Sequence, residues 1–403
     1  MSDNTVSHGA PYATDNNIND FTSLNLDKRL TDALKAQNII TPTDIQKSSY
    51  TAILEGRDVI AQSHTGSGKT LAYLLPLFEK ILDNNISGNY AIILAPTYEL
   101  AVQIKRQVEL LDKNIDYSVE SALIIGDVNI NRQIEALKSK PQIIIGTAGR
   151  IYELIKKKKI AAHLVKYLVI DEADKLLDKN NFDITASVRK CLMKDAQTVL
   201  FSASITKETK KVSISLLCNP LEIHIKNEQK YAANIEHIFV VENRDKLEML
   251  RKVLHNLRPD KALIFINKVF DIELATSKLQ FNNFNAACIH GSNSKAERKN
   301  ILNDFKNGKL KALISTDIAA RGLQIDGINI VVSISMPEAS SDYLHRAGRC
   351  GRNGNKGKSI CIINDYERKL IADYEKHLGI KFKEMKFVKG KLVNVNKSKD
   401  IAK

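Results

Sequence analysis

What this 403-residue chain lacks narrows its possible roles first. No apolar run approaches the roughly 18 residues that a membrane-spanning helix needs, which excludes a helical membrane protein. Cysteine is scarce. Cys191, Cys218, Cys288, Cys350 and Cys361 stand far apart with no C-x-x-C pair, which argues against zinc and against a disulfide framework and suits a reducing cytosol. The opening MSDNTVSHGAPYATDNNIND is polar and slightly acidic, unlike a secretory signal, and reads as a disordered tail; the expected location is cytoplasmic. His64, His290 and His345 are not spaced as metal ligands. Acidic residues are also outnumbered, with 46 Asp and Glu against 60 Lys and Arg and a net charge of +14. A surplus of that size favours a polyanionic partner, most often nucleic acid, through counterion release.

What is present is a β-α rhythm. Short apolar runs, DVIAQ (58–62), AIILAP (91–96), SALIIG (121–126), QIIIGT (142–147), YLVID (167–171) and TVLFSA (198–203), read as buried parallel strands. Amphipathic stretches such as 71–82 and 98–111 lie between them, the first containing Pro76, where a bend is expected. After a polar stretch at 221–237 that reads as a linker, the rhythm restarts with strands near 237–241, 261–267, 286–291, 311–317, 329–335 and 358–364. The chain therefore reads as α/β, with two parallel-sheet domains in tandem. The expected division is a tail (1–20), a first domain (21–225), a second domain (226–375) and a basic, partly disordered tail (376–403). KKKK (156–159) reads as a solvated helix end, with an extension of a nucleic-acid surface as the alternative.

The segment DVIAQSHTGSGKTLAYLL sets a strand, a glycine-rich turn and a helix start in the order that a phosphate-binding loop requires. Gly66 and Gly68 let backbone amides turn inward, with Thr65 and Ser67 in the same turn. Lys69 can reach the β- and γ-phosphates, Thr70 can ligate Mg²⁺, and the helix dipole adds to both. Ser63 stands where Gly or Ala is usual. The second signal is YLVIDEAD, where Asp171, Glu172 and Asp174 crowd directly after an apolar strand. A strand ending in Asp171 delivers its carboxylate to the sheet edge, where it can hold Mg²⁺ through water. Glu172 can then orient or deprotonate the water that attacks the γ-phosphate. Asp174 reads as a partner of nearby hydroxyls or of a basic group.

GSGKT together with DEAD (171–174) resembles the DEAD-box RNA helicases of helicase superfamily two, and other motifs follow in the same order. PTDIQ (42–46), with Phe21 upstream, is similar to that family's glutamine motif, which implies that Gln46 reads adenine and Phe21 stacks on it. PTYELA (96–101), IGD (125–127) and TAGR (147–150) are similar to its RNA-groove motifs, implying RNA contacts from Thr97, Gly126, Thr147, Gly149 and Arg150. SAS (202–204) implies coupling of the ATP and RNA sites through Ser202, Ser204 and Asp174. STDIAARGLQID (315–326) and HRAGRCGR (345–352) imply an RNA contact at Thr316, a place near the nucleotide or an arginine for Asp317, and arginine fingers at Arg349 and Arg352. His345 is expected to serve that last motif structurally. Gly291 and Arg298 are expected at the RNA. By this resemblance the domains are RecA-like and joined by a short flexible linker, and the cofactors are ATP and Mg²⁺.

The resemblance implies an RNA-stimulated ATPase that unwinds or remodels RNA locally. Contacts would be mainly to the backbone, with little sequence specificity, no membrane association and a monomeric chain. Ribosome-assembly or RNA-decay factors are the candidate protein partners. Departures cluster at the groove: Tyr98, Asp127, Ala148 and Lys295 replace family residues, and Gln324 replaces an aspartate used near the ATP ribose. They leave an ATP-gated RNA clamp with little unwinding as one alternative; a DNA translocase or other motor P-loop ATPase is a second, against which DEAD with the glutamine motif argues.

Overall fold

The computed structural model describes residues 20–395 other than 64–65, 114, 116, 127, 226–233, 292, 321–324, 338 and 352–354. The first sheet has the order β3-β4-β2-β5-β6-β1-β7, from β1 (Val59–Gln62), β2 (Ala91–Leu94), β3 (Ser121–Ile124), β4 (Ile143–Gly146), β5 (Tyr167–Asp171), β6 (Gln197–Ser202) and β7 (Leu221–His224). Every pairing in it is parallel. These strands are apolar throughout because both faces are covered. Ile93, Ile143 and Val199 face one core, while Ile92, Ile144 and Leu200 face the other. The helix Lys69–Asp83 runs continuously through Pro76. Among the described residues no helix is long and apolar enough to cross a membrane.

The second sheet has the order β10-β11-β9-β12-β13-β8-β14-β15, from β8 (Ile235–Val241), β9 (Ala262–Phe265), β10 (Ala286–Ile289), β11 (Ala312–Ser315), β12 (Ile330–Ser333), β13 (Gly357–Ile363), β14 (Phe382–Val388) and β15 (Lys391–Asn394). Two differences from the sequence reading stand out. The two ends of the stretch at 221–237 are strand: β7 lies parallel on β1 at the edge of the first sheet, and β8 opens the second. Residues 226–233, where the flexible linker was expected, lie outside the described residues, as does the tail at 1–19. The stretch at 376–394, read as a basic tail, instead completes a helix (Arg368–Leu378) and forms a hairpin, β14 lying parallel on β8 and β15 antiparallel on β14. Phe382 packs into one core of the second domain, and Met385, Phe387 and Leu392 pack into the other.

In a parallel sheet the loops after the strands gather at one edge, where ligands bind. Gly66–Thr70 follows β1, Glu172 follows β5 and Ser204 follows β6 at that edge of the first sheet. In the second, Gly291 follows β10 and Thr316 follows β11.

Candidate active site and nucleic-acid interface

Gly66 and Gly68 adopt φ values of +85° and +89°, in the left-handed region that glycine enters without strain. A Cβ on Gly68 would stand 2.5 Å from Gln46 Nε2. That amide donates to the Gly68 carbonyl at 3.0 Å, while its oxygen accepts from Thr43 N–H at 2.9 Å. Gln46 thus pins the phosphate loop to the glutamine motif and retains one amide hydrogen and one lone pair for a ligand. Phe21 is only 2% exposed and packs in the core, so a base could reach its ring only after a local shift. The hydroxyls of Ser63, where the turn begins, and Ser67, within it, are buried without a hydrogen-bond partner, as fits a loop shaped for phosphate oxygens. Lys69 donates to the Ser63 carbonyl at 2.7 Å. Burial lowers its pKa, against the opposing charges of Asp171, Glu172 and Asp174. Thr65 lies outside the described residues.

Asp171 ends β5 and is 3% exposed. Its carboxylate accepts from Tyr73 O–H at 2.8 Å and from Glu172 N–H at 2.8 Å. Burial, then the adjacent Glu172, pushes its pKa up to about 6 despite Lys69. Burial and the charge of Asp171 raise the Tyr73 pKa, with the Thr70 side chain opposing, so the two expected Mg²⁺ donors both act on one phenol. Among the described residues no three His, Cys, Asp or Glu converge as a metal cage. One carboxylate and one hydroxyl suit Mg²⁺, which keeps several waters and takes phosphate oxygens. Glu172 itself stands at φ +48°, an uncommon conformation for a non-glycine residue that turns the chain sharply into the helix Ala173–Leu176.

Asp174 Oδ1 lies 2.6 Å from Ser202 Oγ, and the Asp174 and Ser204 N–H groups both donate to that hydroxyl. Ser204 therefore joins through its backbone, and not through the hydroxyl contact to Asp174 that its motif suggested. Across the cleft, a cavity of about 90 Å³ has Glu172 and Lys175 on one wall and Phe265, Asp317, Asp342, His345, Arg346 and Arg349 on the other. Burial lowers the pKa of Arg349, with the charge of Glu172 opposing. Arg346 is 2% exposed, holds Asp317 with two hydrogen bonds of 2.6 and 2.5 Å and lies over the Phe265 ring at 4.9 Å. Asp317 is thus engaged by an arginine, one of its two expected settings. His345 Nδ1 lies 3.8 Å from Asp342 Oδ1, which also meets Lys175 Nζ at 2.7 Å. Arg352 and Gln324 lie outside the described residues.

At the expected RNA edge, Thr97 caps the helix Tyr98–Asp112 and Thr316 Oγ1 accepts from Ala319 N–H. Thr147 precedes the helix Ala148–Lys156, which ends at the lysine run. Gly126, Gly149 and Gly291 have open space where a Cβ would stand. Two arginines are engaged within the protein. Arg150 donates to the Val128 carbonyl at 3.0 Å and pairs with Glu153 at 3.1 Å. Arg298, expected at the RNA, pairs across the domains with Glu99 at 2.9 Å and donates to the Ala319 carbonyl. Sequence reasoning missed Tyr73, Glu99, Lys175, Asp342 and Arg346. Two of them carried a signal, Arg346 as the first arginine of a three-arginine motif and Glu99 inside PTYELA.

A phosphate loop and strand-end carboxylates on one sheet, faced by arginines from a second, define a nucleoside triphosphatase whose site is divided between two domains. Residues 43–212 match the DEAD/DEAH box helicase family and residues 245–354 the helicase conserved C-terminal domain. The chain is 38% identical over 352 residues to the DEAD-box ATP-dependent RNA helicase CshC of Bacillus cereus, covering 87% of this chain and 89% of that protein. It is 35% identical to the probable ATP-dependent RNA helicase YfmL of Bacillus subtilis, covering 87% and 92%. Its fold matches S. cerevisiae Dbp5 bound to RNA and ADP BeF3 with a TM-score of 0.82 and 28% identity, over 91% of this chain and 95% of that one. The chain belongs to the DEAD-box ATP-dependent RNA helicases.

Proposed function

We propose that this helicase hydrolyses ATP in the cleft between its sheets and couples each turnover to holding and releasing a strand of RNA. The observation that carries this reading is Glu172 and Arg349 facing each other across one cavity, each delivered by a different domain. The domain at 21–225 binds the nucleotide: Lys69 and the Gly66–Gly68 amides receive the phosphates, and Gln46 meets adenine with its remaining donor and acceptor. Phe21 stacks on the base after a local shift. Thr70 and Asp171 would hold Mg²⁺, largely through water, and the bound ion would supply positive charge at the phosphates. Glu172 takes the proton of the attacking water, and its left-handed backbone aims the carboxylate off the strand end into the cleft. The second domain, from 234 through the β14–β15 hairpin, brings Arg349, joined by Arg352, to the charge that develops on the γ-phosphoryl group, and places Gln324 near the ribose.

Thr97, Gly126, Thr147, Gly149, Gly291 and Thr316 follow the RNA backbone in this account, giving contact that is largely independent of sequence and sensitive to salt. Closure on one strand displaces its complement from a short duplex. The protein acts in the cytoplasm as a monomer. The engagement of Arg150 and Arg298 within the protein favours a second reading, a clamp with weak unwinding; measuring duplex unwinding beside ATP hydrolysis separates the two.

Glu172→Gln tests the assignment of the base. The variant is expected to bind ATP and RNA like the wild type while kcat falls by about 10²-fold or more. Turnover within a fewfold of wild type would remove Glu172 from that role.

A further inference from the structure

Lys175 lies one residue past the DEAD tetrad, in the short helix Ala173–Leu176. Its Nζ is 2.7 Å from Asp342 Oδ1 and 3.7 Å from Asp174 Oδ2. Asp342 stands in the first turn of the helix Ser340–Ala347, where the positive end of the helix dipole favours a carboxylate. Contacts therefore run without a break from the Ser204 backbone through Ser202, Asp174 and Lys175 to Asp342, and on to His345 at 3.8 Å. His345, and after it Lys175, hold the Asp342 carboxyl well below the usual carboxylate range.

The position of the pair matters more than its strength. An exposed ion pair adds little to the stability of a fold. A pair whose two halves belong to different domains exists only when those domains are together, so its whole energy biases closure. Lys175 is three residues from Glu172. Asp342 lies in the helix Ser340–Ala347, and Arg349 lies in the turn two residues past the end of that helix, so holding Asp342 holds the helix that leads into Arg349. The side chains are 18% and 35% exposed, partly shielded from water and salt.

We propose that Lys175 and Asp342 form a cross-cleft clasp, a pair of positioning residues that seats Arg349 against Glu172 when the domains close. The proposal rests on the closure reading above. It adds a contact that the motifs do not contain, since Lys175 lies outside the tetrad and Asp342 outside the arginine motif.

The test uses the full-length chain with one fluorophore on each domain, a short oligouridine and a non-hydrolysable ATP analogue, alongside steady-state ATP hydrolysis. Lys175→Met and Asp342→Asn are each expected to reduce the closed population and to lower RNA-stimulated kcat by about threefold to tenfold. The KM for ATP and the melting temperature of the ligand-free protein are expected to stay at wild-type values. Lys175→Arg is expected to retain closure. Combining Lys175→Met with Asp342→Asn is expected to cost little more than either single change, since each already breaks the same pair. Lys175→Met closing and turning over like the wild type, or a Lys175→Met/Asp342→Asn double variant whose losses simply add, would overturn the clasp. A wild-type protein that RNA does not stimulate would instead overturn the closure reading, so the two failures are distinguishable.

Discussion

Gly149 shows how a residue can be assigned by what does not surround it. It sits in the first turn of the helix Ala148–Lys156, where alanine is the better helix former, and a Cβ there would meet nothing within 4 Å. Internal packing therefore gives no reason for glycine, whereas close passage of a nucleic-acid backbone does. The account makes a prediction with opposite signs. Gly149→Ala should stabilise the first domain by up to about 1 kcal/mol while raising the RNA concentration for half-maximal ATPase stimulation at least threefold. Thermal melting and an RNA titration check the two halves separately, and unchanged RNA dependence would remove Gly149 from the interface. Glu172 and Gly68 were legible at this scale because strand, turn and tetrad bring their context with them. Arg298 was placed by its motif at the RNA, and its pairing with Glu99 depends on how the two domains dock, which no local pattern records.

At the scale of elements, the strands facing two cores announced themselves by unbroken apolar runs. The hairpin at 382–394 did not, because its lysines drew attention to charge. Its segment FKEMKFV nevertheless sets Met385 and Phe387 two residues apart on one face, and the chain reverses at Lys389 and Gly390, whose φ values of +49° and +78° suit a tight hairpin turn. β14 closes over His237 in β8, which is 4% exposed, hydrogen bonds to Tyr343 through Nδ1 and leaves Nε2 buried without a partner. The Phe382 ring lies 5.6 Å away. Burial lowers the His237 pKa from 6.5 to about 4. A folded-state pKa below the unfolded value means that the unfolded chain takes up the proton first, so stability falls as pH drops from about 6.5 towards 4. At pH 5 the loss is about 2 kcal/mol, fully buried by this account and so little screened. Denaturant unfolding of the wild type and of His237→Gln between pH 7 and pH 5 checks this. The pH-dependent loss should shrink by that amount in the variant, and parallel curves would contradict the assignment.

At the scale of the molecule, two largely parallel sheets face each other with their strand ends, and two ion pairs among the described residues join them: Lys175 with Asp342 at the nucleotide side and Arg298 with Glu99 at the expected RNA side. Each domain keeps its own pair of apolar cores, so closure and opening need not disturb either fold. The tandem architecture and the residues of the ATP site could be read from the chain because each is encoded within a short segment. The cross-domain pairs could not, because their halves are far apart in sequence and meet only in the assembled cleft. The central claim is that hydrolysis depends on RNA bringing the two walls of that cleft together. The most direct measurement is steady-state ATP hydrolysis with Mg²⁺, with and without single-stranded RNA, at low and moderate salt. Strong stimulation by RNA that weakens as salt rises is the predicted result. Hydrolysis at the same rate with and without RNA would contradict the account.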